Sequence, residues 1–128
     1  MRAADTNVLA RYLLQDDDRQ SHIAGEIIAA GVYISSTVLL ELGWLLTSRY
    51  GLTRDIVADL LTDLLDIPAV HVDRPADILW ATERFAKGAD FADMIHLVGA
   101  APATAFATFD RGVAKAATNS PIPVETLA

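Results

Sequence analysis

Five carboxylates, Asp5, Glu41, Asp90, Asp93 and Asp110, lie inside or against apolar segments, and that placement limits how the chain can fold. Asp5 ends the first short apolar stretch, and Glu41 interrupts VLLELGWLL. Asp90 and Asp93 flank Phe91 and Ala92, and Asp110 follows AFATF directly. A carboxylate buried without a partner costs several kcal/mol or gives up its charge. The apolar segments hold no evident Lys or Arg to neutralise so many. A divalent cation would neutralise them together, so the distribution points to a metal-dependent site.

The rest of the chain narrows the class. With 128 residues, 52% of them hydrophobic, it has the length of one domain and enough apolar surface for a full core. The absence of cysteine removes disulfides, thiolate zinc sites and cysteine nucleophiles together. MRAADTNVLARYLLQ is broken by Asp5 and Arg11 and leaves no clean apolar export region, and no stretch approaches the ~20 apolar residues of a membrane span. A cytoplasmic protein with no membrane partner is expected. The net charge of −7 argues against gripping nucleic acid by bulk electrostatics. It leaves a nuclease open, because clustered catalytic acids inflate the negative count and bound cations offset it. An acidic surface also suits a basic protein partner.

No repeat or linker divides the chain, and short strand-like segments alternate with amphipathic helices. Strands are predicted over 2–5, 32–34, 69–72 and 105–108, with a last one framed by Pro121 and Pro123 through Val124. Helices are predicted over 7–14, 19–30, from the Ser35–Thr37 caps to Tyr50, from the Thr53 cap to 66, and over 75–87, 91–101 and 111–118. The first strand is weak, since Arg2, Ala3 and Ala4 have little β-propensity. The alternation predicts a single α/β domain, residues 1–128, with a mainly parallel sheet. Ligands of such sheets sit beyond the carboxyl ends of the strands, where Asp5 and Asp110 fall.

Each acid has a plainer explanation. Asp5 in DTN suits an Asx turn or cap, with Thr6 and Asn7 as helix caps or as hydrogen-bonding supports for Asp5. Asp90 suits an N-cap with Asp93 at the capping-box position, and Asp110 opens a helix in the ordinary way. Glu41 is least easily explained, because its segment is apolar nearly all round and such helices are usually buried. His22, His71 and His96 lack ligand spacing, and a packed core position is favoured for His96. Trp44 and Trp80 fall in helical patterns that suit the core. Oxygen-only donors favour Mg²⁺, or Mn²⁺, over zinc. Carboxylates around such a cation suit phosphodiester hydrolysis by a metal-activated water. Arg84 and Lys87 before Asp90, and Arg111 and Lys115 beside Asp110, could hold a phosphate backbone, with ordinary solvated faces as the alternative.

In sequence the chain resembles the PIN-domain ribonucleases and, within them, the VapC-type toxins of bacterial toxin–antitoxin pairs. The likeness runs through DTNVLARYLLQDD, STVLLELGWLLTSRYGL, GADFADMIHL and TFDRG, in that order along nearly the whole chain. It implies a PIN-like three-layer α/β domain with a central five-stranded, mainly parallel sheet flanked by helices. It carries catalytic metal-ligand roles to Asp5, Glu41, Asp93 and Asp110. DMI selects Asp93 over Asp90, which matches an additional acid of some members. Thr108 matches a polar residue near the site. The resemblance further implies cleavage of structured RNA such as tRNA or rRNA, a homodimer, and silencing by a cognate VapB-like antitoxin. RAA stands before Asp5 where a more apolar strand is typical.

The expected activity is therefore a Mg²⁺- or Mn²⁺-dependent endoribonuclease acting as a type II toxin. The alternative is a catalytically inactive PIN-fold module that binds protein or RNA, against which the full acid set weighs. A phospho-receiver domain would need a paired acid at the first strand and a Lys after a late one, and DTN and TFDRG supply neither.

Overall fold

The computed structural model describes residues 1–128. Seven helices and five short parallel strands alternate along the chain, which divides into two compact units, Met1–Pro75 and Ala76–Ala128.

In the first unit the strands β1 (Arg2–Ala3), β2 (Val32–Tyr33) and β3 (Val70–His71) form a parallel sheet in that order. Arg2 pairs with Val32, and Val32 with Val70. The weak RAA segment does form a strand, exposed and two residues long. It is continued by the Ala4 amide, which donates to the Tyr33 carbonyl at 3.0 Å. Four helices cover this sheet: α1 (Thr6–Leu14), α2 (Asp18–Ala29), α3 (Ser36–Trp44) and α4 (Arg54–Asp66). Their buried residues recur at helical spacing, as Ser21, Ala24 and Ile28 do on α2 and Val57, Leu61 and Leu64 on α4. Thr53 caps α4 and Asp17 caps α2, each accepting the backbone N–H three residues on.

The expected helix to Tyr50 changes character on the way. After Trp44 it widens into a π-helical turn, Leu45–Arg49, in which the Tyr50 amide reaches back to Leu45. Gly51, at φ +65°, then takes the left-handed conformation that ends the segment.

In the second unit α5 (Pro75–Ala86, which Pro75 of the first unit begins) and α6 (Phe91–Gly99) bury Ile78, Ala81, Phe85, Met94, Leu97 and Val98. Phe85 and Phe91 meet ring to ring at 5.3 Å, with the planes tilted by 54°. Strand β4 (Phe106–Thr108) pairs in parallel with β5 (Val124–Thr126), and α7 (Arg111–Ala116) lies between them in sequence. The last strand follows Pro123 instead of ending at Val124, because proline has no amide for the ladder.

A single five-stranded sheet is not what the backbone shows. Each strand gives only two or three residues to its ladder, and β4 is paired with β5, so a three-stranded and a two-stranded sheet result. No helix is long and apolar enough to cross a membrane.

Candidate active site

Strand ends and helix starts place the acids. In the first unit, β1 runs into α1 through Asp5, whose Oδ1 accepts the Val8 amide at 3.2 Å as the N-cap. The cap geometry fixes the turn, so the next residue, Thr6, points inward and is buried. Its hydroxyl donates to Glu41 Oε1 across 35 residues of sequence. DTN thus does three things: Asp5 caps, Thr6 orients Glu41, and Asn7 lines the opening beside them. Asp5, Thr6, Asn7, Glu41, Trp44 and Leu45 enclose a cleft of about 200 Å³.

Glu41 is exposed, which overturns its expected burial. The reason lies in the wheel of α3. Leu39, Leu42, Gly43 and Leu46 form the buried stripe, and Glu41 falls on the other side with Trp44. That outer side reads as apolar because it carries half-buried Leu45 and Trp44, which is 62% exposed and not in the core as its pattern predicts. Trp80 is half-buried, and its Nε1 donates to the Thr118 carbonyl at 2.7 Å.

In the second unit Asp90 is the N-cap of α6, with Oδ1 accepting the Asp93 amide at 2.9 Å. Asp110 caps α7, its Oδ1 accepting the Gly112 amide at 2.8 Å while its own amide donates to Thr108 Oγ1 at 3.0 Å. A Cβ on Gly112 would stand 3.1 Å from Asp110 Oδ1, a tight contact that the carboxylate would have to ease by a few tenths of an ångström. Asp93 is half-buried. Burial first, then repulsion from Asp90 and from Asp110, raises its pKa above the ordinary carboxylate value, and nearby His96 partly offsets the rise. Asp5, Asp90 and Asp110 are exposed like Glu41, so the expectation of buried acids fails for four of the five. The plainer cap explanation holds for Asp5, Asp90 and Asp110, and it accounts for their position without using their second oxygen. His96 is exposed as well, one turn after Asp93, and not packed in the core.

Of the candidate phosphate contacts, Lys87, Arg111 and Lys115 are exposed. Arg84 is half-buried, with Nε committed to the Ala116 carbonyl at 2.7 Å.

No group of three or more His, Asp or Glu side chains converges to hold a metal ion. The donors still suit a hard cation. Mg²⁺ keeps several waters and commonly takes only one or two protein carboxylates, with phosphate oxygens completing its shell. A carboxylate pair open to a cleft, and a second set whose mutual repulsion a cation would relieve, both fit that chemistry. Trp44 went unrecognised as part of the site. Its position three residues after Glu41, opposite the Leu39–Leu42–Leu46 stripe, was the available signal.

No match was found among curated proteins or among solved structures. The PIN domain family model matches residues 3–119, a span holding all of Asp5, Glu41, Asp90, Asp93 and Asp110. Members of that family are typically nucleases that use divalent metals. With parallel strands delivering acids to helix starts and a match over most of its length, this chain belongs to the PIN domain family.

Proposed function

We propose that this protein is a metal-dependent endoribonuclease of the VapC type, the toxin of a type II toxin–antitoxin pair, cutting structured RNA such as tRNA or rRNA. The observation that carries the proposal is the family match from residue 3 to residue 119 with every acid of the set present inside it. Asp5 and Glu41 in the first unit, and Asp93 and Asp110 in the second, serve as the catalytic acids and cation ligands, and Asp90 is an additional acid beside Asp93. Bound Mg²⁺ or Mn²⁺ supplies an activated water and charge stabilisation for phosphodiester hydrolysis.

The chain's own residues do the rest. Thr6 holds Glu41 in one orientation through its hydroxyl. Asn7 stands at the cleft beside Asp5 as a polar support. Thr108 fixes the turn that presents Asp110. Lys87, Arg111 and Lys115, with the free nitrogens of Arg84, contact the RNA backbone. The acidic balance suits a basic segment of a cognate VapB-like antitoxin, and the working form is a cytoplasmic homodimer.

Induced expression of wild type beside Asp5→Ala, with sequencing of RNA 5′ ends, tests the proposal. Growth arrest with new ends from the wild type alone is expected. Arrest by both proteins without new ends would favour the inactive binding module.

A further inference from the structure

The cleft that holds Asp5 and Glu41 also holds an indole that the fold does not need. Trp44 is 62% exposed, one helical turn from Glu41 on the same side of α3, while the core stripe of that helix is complete without it. Its counterpart Trp80 is anchored through Nε1, so the chain treats its two tryptophans differently. An exposed indole face beside carboxylates suits a ligand that carries an aromatic ring one sugar away from a phosphate.

We propose that Trp44, with Leu45 at its side and Asn7 across the cleft, is a stacking subsite for an unpaired nucleobase of the RNA substrate, next to the scissile phosphate. The proposal rests on the nuclease reading and specifies the substrate at that site. Every base has a π-face, so stacking on Trp44 tolerates any sequence, and the Asn7 amide can meet a base edge. A cleft of about 200 Å³ admits a base with its ribose and excludes a duplex, whose bases are stacked on one another. The subsite therefore selects loops, bulges and ends over helical RNA. The carboxylates give a nucleotide no favourable charge by themselves, which makes the indole the part of this cleft that attracts RNA before a cation is in place.

Fluorine NMR of the full chain labelled with fluorotryptophan provides the test, with the Trp44 resonance assigned through Trp44→Phe. A single-stranded RNA hexamer and a blunt RNA duplex are the two probes, each titrated with and without Mg²⁺. The single strand is expected to shift the Trp44 resonance and leave Trp80 in place, while the duplex moves neither. Trp44→Ala is expected to weaken single-strand binding by about tenfold or more, with Trp44→Phe recovering most of it. In cleavage assays the same loss should appear in KM and leave kcat nearly unchanged. Equal affinity of wild type and Trp44→Ala for the single strand overturns the subsite. So does a Trp44 resonance that responds to protein concentration and not to RNA, which would assign this face to a contact between copies. A wild type that binds the hexamer through Trp44 yet cuts no RNA would sink the nuclease reading and leave the subsite standing.

Discussion

The two units differ in how closely they gather their acids. In Met1–Pro75 the carboxylates have donors of their own: Asp5 takes the Val8 amide, and Glu41 takes the Thr6 hydroxyl. In Ala76–Ala128 Asp93 has burial and two like charges, Asp90 and Asp110, acting against its ionised form. The second unit orients Asp90 and Asp110 by backbone amides as well, but it sets them close enough to Asp93 for their charges to work against it. Under the proposed metal dependence a cation would meet prepared oxygens in the first unit and would relieve crowding in the second.

The largest effect should come from deleting an acid on each side. Glu41→Ala and Asp93→Ala are each expected to lower RNA cleavage by more than about 100-fold, since even indirect supports of a metal ligand are worth roughly 10–100-fold. Circular dichroism should show both variants folded. Full activity in either would remove that unit's acid from the mechanism and break the comparison.

Core truncation asks whether the units are thermodynamically separate. Leu42 and Leu97 are each fully buried, one per unit. Leu42→Ala and Leu97→Ala should each lose about 2–5 kcal/mol in denaturant unfolding. As a single domain the chain should show one transition, moved by either change; two transitions, each moved by one variant, would show independent folding.

Thr6→Val keeps the shape and removes the hydroxyl that holds Glu41. Mg²⁺ affinity by calorimetry and cleavage should both fall by roughly 10–100-fold. An unchanged affinity would mean that Glu41 needs no orientation from Thr6.

The smallest effect isolates the crowding in the second unit. Because folding raises the pKa of Asp93, its ionised form is disfavoured in the folded chain. Stability is therefore lost as pH rises through that raised value and is unaffected below the ordinary carboxylate range. Asp93→Asn should raise the unfolding free energy at neutral pH, by less than about 1 kcal/mol after solvent screening, and not at all in acid. Saturating Mg²⁺ should narrow the gap. A stabilisation of equal size at both pH values would trace it to packing instead.

Much of this was legible in the residues. Periodicity located all seven helices, with the caps at Thr53 and Asp90 and one within Ser35–Thr37, because helix starts and apolar stripes are local properties of the chain. Burial of the acids was misread, since an apolar run such as VLLELGWLL does not say which side faces out. Leu39, Leu42 and Leu46 form the buried stripe, and Trp44 and half-buried Leu45 give the side of Glu41 its apolar character. The bond from Thr6 to Glu41 was out of reach as well, because a contact between residues 35 apart depends on how α1 and α3 pack. Sheet division was hidden for a related reason: strands of two or three residues leave too little pattern to reveal their neighbours.

One detail of the caps bears on how such a protein is kept and used. Asp5, Asp90 and Asp110 each commit Oδ1 to a backbone amide and keep Oδ2 clear of that duty. Their rotamers are settled when the helices form, so under the proposed metal dependence an ion would meet side chains already ordered, and its loss would unravel no helix. The empty chain would then keep its fold, and activity would return at a rate set by the supply of the ion and the speed at which it sheds water.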